Sequence, residues 1–174
     1  RWLALDLTFG HELPPGMAGW LTQHGVTTHD LAFFREPRGR GQRWLGLGYV
    51  PASERRVTAT GRVTSARRGL GFRTLAGEYW RRYRVPLFHA ETRADARHSV
   101  AWLRRQWEEI VALRAAGVPV VGFTWSPLTD HGAALGLADS RRRLRQVGTA
   151  YAELIARWSP VVDGVAQERA AIGA

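Results

Sequence analysis

Two carboxylates stand where a parallel α/β chain places its chemistry. Glu91 directly follows the apolar run Val85–Ala90, and Asp130 lies in the stretch Ser126–His131, just after a second apolar run, Val118–Trp125. In such folds reacting groups gather at the carboxyl ends of strands. A carboxylate there, beside His89, His131 and Trp125, suits attack on, or stabilisation of, a sugar oxocarbenium ion, and an indole can stack on the sugar ring. The same residue types have plainer uses. An acidic residue after a strand commonly caps a helix or sits in a solvated turn. His89, on an alternating strand, fits a hydrogen-bonded core position better than a ligand site. His131, on a loop, is ordinarily solvated.

Other chemistries find little support. The sequence has no cysteine, which removes disulfides, thiolate metal sites and cysteine nucleophiles. No His/Asp/Glu spacing matches a metal site. Gly69-Leu70-Gly71 is too short a glycine signal for phosphate binding. Ser126 lacks the histidine and aspartate order of a serine hydrolase. Trp102 and Trp107 fall on a helix and read as packing residues, which leaves Trp125 as the tryptophan best placed to meet a sugar.

The elements that would position these residues are clearest in the second half. Val85–Ala90 is a strand opened by Pro86. Asp95 can cap the helix that follows, on which Val100, Leu103, Trp107, Ile110 and Val111 recur at helical spacing. Gly117 and Pro119 stop that helix before the strand Val118–Trp125. From Ser140, the positions Leu144, Val147, Tyr151, Leu154, Ile155 and Trp158 mark another helical face, ended by Pro160. Strand, helix, strand, helix is the pattern of right-handed βαβ units on a parallel sheet. Upstream, Trp44–Val50 reads as a buried strand and Leu70–Tyr83 as a helix. Residues 51–69 read as a polar, arginine-rich connection, and residues 11–43 as short helices near Met17–His24 and His29–Phe34. This gives three strands, short of the eight a closed barrel needs.

A chain of 174 residues with 45% hydrophobic content can bury one core. The net charge is +10, and all 25 basic residues are arginine, spread along the chain. Dispersed charge without a binding motif does not read as a nucleic-acid surface. No segment approaches the roughly 18–20 apolar residues of a membrane helix, and the first ten residues do not form a signal peptide. With the missing cysteines, these features lead us to expect a cytoplasmic protein. Because the sequence opens on Arg1, we expect it to be a piece of a longer chain.

The order of the elements adds a resemblance. Tyr79-Trp80-Arg81-Arg82-Tyr83-Arg84-Val85-Pro86-Leu87-Phe88-His89-Ala90-Glu91-Thr92 resembles the seventh-strand region of family 1 glycoside hydrolases, where Pro, two apolar residues, any residue and then Thr-Glu-Asn-Gly carry the nucleophilic Glu. Ala115–Ser126 is similar to that family's run into strand eight. With Gly122 aligned, Asp130 falls on the family's Asp. Leu45-Gly46-Leu47-Gly48-Tyr49 is similar to strand six, and Arg141–Trp158 to the closing helix. The resemblance covers residues 44–160, and the preceding stretch is similar to the connection from strand five to strand six. It implies an α/β fold, the C-terminal portion (about strands 5/6 to 8) of a (β/α)8 TIM barrel. The chain is then one partial domain, 1–174: a helix and loop connection over 1–43, strands and helices over 44–160, and a tail over 161–174.

The resemblance also implies a role for Glu91 as nucleophile of a retaining β-glucosidase-like enzyme. Trp125, Asp130, Tyr49, His89 and His131 would be substrate-binding residues, the substrate a small carbohydrate, with no cofactor and no metal. A retaining enzyme needs a second carboxyl group about 5–5.5 Å from the first. The family takes it from an Asn-Glu pair on strand four. This sequence contains no asparagine, so the resemblance places the acid/base in a missing N-terminal half of the barrel. The chain departs from the family at several points. Gly48 stands for an Asn, Val50 for the Tyr that hydrogen-bonds the nucleophile, and Thr92-Arg93 for Asn-Gly. Ala133-Ala134 stand for the Glu-Trp that grips sugar hydroxyls, and the platform Trp is either shifted to Trp125 or replaced at Ser126. These changes point to a divergent bacterial branch, and leave as the alternative a catalytically silent sugar-binding or regulatory barrel.

Overall fold

The computed structural model describes residues 2–35, 43–66 and 69–158. The Arg/Gly-rich stretch 36–42, the stop at Pro160 and the tail 161–174 lie outside the described residues. The chain divides into two compact units, Arg1–Arg43 and Trp44–Ala174.

The first unit carries three short helices: α1 (Leu3–Phe9), α2 (Met17–Gln23) and α3 (Thr28–Arg35). The sequence reading anticipated α2 and α3 but not α1. Gly10 ends α1 at φ 70°, a left-handed conformation that glycine adopts without a Cβ penalty. A reciprocal cap precedes α3: the Thr27 amide donates to Asp30 Oδ2 (2.9 Å), and the Asp30 amide donates to Thr27 Oγ1 (3.1 Å). Leu21 and Leu31 supply buried apolar surface.

The second unit is built on three parallel strands: β1 (Leu45–Gly48), β4 (Leu87–Thr92) and β5 (Val120–Trp125), in spatial order β1-β4-β5. Helix α4 (Phe72–Tyr83) precedes β4, α5 (Ser99–Ala115) joins β4 to β5, and residues 146–158 form a further helix, α6. The stretch expected as a plain connection holds a small antiparallel hairpin, β2 (Arg55–Val57) with β3 (Val63–Ser65). Its strands are only three residues long and largely exposed, so no buried alternation announces them. Helix α6 starts at residue 146, later than the Ser140 onset read from the sequence. Asp139 accepts hydrogen bonds from the amides of Arg141 and Arg143 (2.9 Å each), and Arg142 sits at φ 62°, which holds this segment as a turn.

The helices cover one face of the sheet. The buried stripe of α5 is Leu103, Gln106, Ile110 and Leu113, and α4 contributes Phe72 and Ala76, both fully buried. The Phe72 ring stacks on His89 at 4.0 Å, and Phe123 meets Trp107 and Tyr151. Trp125 joins Ala94, Leu103, Leu137 and Val147 in one apolar cluster. The N-terminus of α4 is satisfied from afar. Its cap residue, Gly71, has no side chain to offer, and instead Glu54 accepts from the Gly71 amide (2.9 Å) while Glu109 accepts from the Arg73 amide (2.9 Å).

The other face is open and nearly bare. Gly46, Gly48 and Ala90 are exposed, and Val121 is 47% exposed. A Cβ added to Gly46 would meet the Ala90 Cβ at 3.2 Å, and one added to Gly48 would meet the Glu91 Cβ at 3.8 Å. One added to Gly122 would lie 1.9 Å from Phe88 Cε2 and 2.1 Å from Cδ2, so an edge of this ring fills the space a side chain at position 122 would need. Among the described residues, β1 and β5 each pair on one side only.

Candidate functional site

Glu91 occupies the penultimate position of β4, inside the strand, where the sequence reading had it just beyond. Its direction depends on a β-bulge. Leu47 pairs with His89 but Gly48 pairs with Glu91, so one step on β1 matches two on β4. On the other side, His89 pairs with Phe123 and Thr92 with Trp125, so β4 again carries one residue more than its neighbour. Strict alternation from His89 would turn Glu91 towards the helices. The extra residue puts both Ala90 and Glu91 on the open face, and Thr92 takes the next buried position.

Hydroxyls close the hydrogen bonds that the bulge disturbs. Thr124 Oγ1 donates to the Ala90 carbonyl and lies 3.3 Å from the His89 carbonyl. Thr92 Oγ1 donates to the Tyr49 carbonyl (2.7 Å) and accepts from the Trp102 indole N–H (2.7 Å). Backbone bonds flank the bulge: the Tyr49 amide donates to the Glu91 carbonyl (2.9 Å), and the Ser126 amide to the Thr92 carbonyl (3.1 Å).

The Glu91 carboxylate is about half exposed and pairs with the Arg93 guanidinium, two residues on and on the same face. A carboxylate so placed can act as a nucleophile or hold a cation. The other carboxylate expected at the site, that of Asp130, is engaged elsewhere. Asp130 accepts from Arg145 Nε (3.1 Å) and Nη2 and from the Gly136 amide (2.8 Å), which ties together the loop after β5. The Arg145 hydrogen bond, followed by the Gly136 amide, holds its carboxyl below the usual range.

Three further expected site residues lie in the helix layer. His89 is fully buried, and its Nε2 is 3.2 Å from Gln106 Oε1. Burial pushes its pKa down to about 4, so the ring is neutral at ordinary pH. Trp125 is 6% exposed, and its indole N–H donates to the Leu135 carbonyl (2.8 Å). Tyr49 is 5% exposed and stacks on Trp102 at 5.9 Å; its hydroxyl donates to Glu54 Oε1 (2.6 Å). Burial first, and the Glu54 hydrogen bond second, raise the Tyr49 pKa. None of these rings offers a face to a ligand from there. His131 is exposed on the loop, bridged through its backbone to Ala133.

Sequence reasoning missed Glu54, whose carboxylate accepts from the Tyr49 hydroxyl and from the Leu70 (2.5 Å) and Gly71 amides. Burial alone would raise its pKa; the three donors outweigh it and lower it. Nothing local in Ser53-Glu54-Arg55 signals a cap for a helix that begins only at Phe72. A cleft of about 430 Å³ lies between the start of α5 and the segment 134–147, lined by Ser99, Leu135, Asp139, Arg143 and Arg145 among others. None of the residues expected to carry chemistry lines it. Among the described residues, no cluster of three or more His, Asp or Glu could hold a metal ion, and no helix is long and apolar enough to cross a membrane.

No protein-family model matches the sequence, and no curated protein matches it. Solved structures do. A β-glucosidase from Thermotoga maritima in complex with noeuromycin is similar with a TM-score of 0.65 at 13% identity, over 88% of this chain and 43% of that one. The same enzyme in complex with deoxynojirimycin gives 0.66 at 13% identity, over 90% and 44%. A β-glucosidase from Exiguobacterium marinum gives 0.64 at 16% identity, over 90% and 44%. The chain thus spans less than half the length of the β-glucosidases it resembles. At such identity the likeness establishes the fold: an α/β chain with the architecture of the C-terminal portion of a (β/α)8 barrel, and no closed barrel among its described residues.

Proposed function

We propose that this chain is part of a retaining glycoside hydrolase related to family 1, in a divergent bacterial branch, with Glu91 as its nucleophile. The observation that carries this reading is the bulge in β4. It sets a carboxylate on the open face, near the carboxyl end of the middle strand of a β-glucosidase-like sheet. In this reading the open face is the barrel interior, and the sugar lies above Gly48 and Glu91. A Glu91 oxygen attacks the anomeric carbon as the bond to the leaving oxygen breaks. An acid carboxyl from the absent part of the barrel protonates that oxygen, then deprotonates the water that releases the sugar. Asp130 contributes by shaping the loop after β5, and His131 is the expected substrate contact on that loop.

The test uses the longest open reading frame that contains these 174 residues. Incubation with a fluorinated aryl β-glucoside carrying a dinitrophenolate leaving group, which departs without an acid, adds one glycosyl mass to the peptide bearing Glu91; Glu91→Gln abolishes the adduct. Labelling at another carboxylate, or none, sinks the nucleophile assignment. Two observations favour a second reading, a silent sugar-binding barrel: Arg93 already occupies the Glu91 carboxylate, and Ala133 and Ala134 offer no polar group to a sugar. That reading expects iminosugar binding by calorimetry with no covalent adduct.

A further inference from the structure

We infer that Thr124 and Thr92 are positioning residues for Glu91: their hydroxyls, one on each side of β4, hold the bulge that keeps this carboxylate on the open face. The inference deepens the nucleophile reading and rests on it for its functional meaning. Its structural content stands alone.

A regular β4 would give every amide and carbonyl a partner on β1 or β5. Two residues set against one leave a carbonyl that no ladder amide can reach. Thr124 sits on β5 between Phe123 and Trp125, the segment where β5 is one residue short of β4. Its hydroxyl donates to the Ala90 carbonyl, within the bulge, and lies 3.3 Å from the His89 carbonyl before it. Valine has nearly the same shape as threonine and cannot donate, so the hydroxyl is separable from the packing.

On the β1 side the partner is Thr92, the residue after Glu91. Its side chain is fully buried, its hydroxyl donates to the Tyr49 carbonyl, and the Trp102 indole N–H donates to it in turn. With both its donor and an acceptor lone pair engaged in the helix layer, Thr92 is fixed there. Its neighbour Glu91 must then face the other way, because successive side chains on a strand alternate. The chain of contacts runs from α5 through Trp102 and Thr92 to the end of β1, so the direction of Glu91 is set by elements that do not touch its carboxylate.

The absence of cysteine gives a direct readout. Glu91→Cys creates a single thiol on the open face, and its rate of modification by a charged methanethiosulfonate reports that position's exposure without any catalytic activity. We expect rapid labelling in that chain. Adding Thr92→Val together with Thr124→Val should slow it at least tenfold as position 91 turns into the helix layer, while Thr92→Ser with Thr124→Ser restores the fast rate. Far-UV circular dichroism verifies that each chain is folded, and Thr124→Ala alone serves if the double valine chain is not. Unchanged labelling in a folded hydroxyl-less chain overturns the inference and leaves the nucleophile assignment as it was. Conversely, slow labelling here with no sugar adduct on Glu91 in the wild-type frame upholds the bulge clamp while removing its catalytic meaning.

Discussion

On the helix face of the three-stranded sheet, Tyr49, His89, Thr92 and Trp125 are all buried, and each has a hydrogen-bond partner. On the open face of the same strands, Gly46, Gly48 and Ala90 are exposed and Val121 is 47% exposed. One backbone therefore carries a finished core on one side and an unfinished one on the other. The finished side holds the fold, through burial of large rings and hydrogen-bonded polar groups, with only His89 Nδ1 and Gln106 Nε2 buried without a partner among the described residues. The open side can place a carboxylate near a ligand because little there beyond the contact of Phe88 with Gly122 is committed to packing. Buried His89 and half-exposed Glu91, two residues apart in sequence, end on opposite sides only because of the bulge between them.

The contrast can be broken most forcefully at Phe72. This ring is fully buried against His89, so Phe72→Ala should destabilise the chain by about 3–5 kcal/mol, whereas Val121→Ala on the open face should change stability by less than about 0.5 kcal/mol. Equal shifts in urea unfolding would show that the open face is packed after all.

A somewhat smaller effect is expected from acid. Folded His89 takes up a proton only near pH 4, while the unfolded residue does so near 6.5. Between those values the unfolded state binds more protons, so stability falls as pH drops through the window, by on the order of 3 kcal/mol in all. The lowered carboxyls, Glu54 and Asp130 among them, lose their stabilisation only at and below their unfolded values of 4.5 and 3.8. Unfolding curves from pH 6.5 to 4.5 thus isolate the histidine, and His89→Phe should flatten them. An equally steep slope in that variant would place the proton elsewhere.

The mildest change sharpens the comparison from the open side. A methyl at Gly122 collides with the Phe88 ring, and Gly122→Ala should cost about 1–3 kcal/mol, largely recovered in a Phe88→Leu background. Thermal melts of the two chains decide it. A drop that persists in the leucine background would trace to the backbone and not to the ring.

Much of this architecture was legible because its signals are local. Val120–Trp125 is an apolar run broken only by Thr124, α5 repeats its apolar residues at helical spacing and stops at Gly117, and a strand, helix, strand order leaves a parallel sheet as the economical solution. Helix α1 was missed because Leu3–Phe9 is short and lacks a side-chain cap. The hairpin was missed because Arg55–Val57 is exposed throughout. The site was legible at Glu91 as a residue type and position, but not as a direction. Alternation assigns faces by counting, and the count changes by one at Ala90 without any glycine or proline on β4 itself to mark it. The roles expected of Tyr49 and Trp125 depend on the same kind of count. Long-range partnerships, such as Glu54 with the start of α4 or Gln106 with His89, leave no trace in sequence spacing at all.

The bulge also bears on how a lineage of such chains can change. Point substitution at Glu91 alters the group presented to the cavity but not the side on which it stands. Loss of one codon at Ala90 would shorten β4 by a residue, keep Glu91 on the open face and slide it about 3.3 Å towards the start of the strand. Loss of one codon between Leu87 and His89 would instead exchange the faces of everything upstream of the gap relative to the residues below it. Descendants could therefore retain the fold and the glutamate yet differ in where that glutamate reaches. An alignment that forbids gaps inside strands would pair the wrong residues at this point.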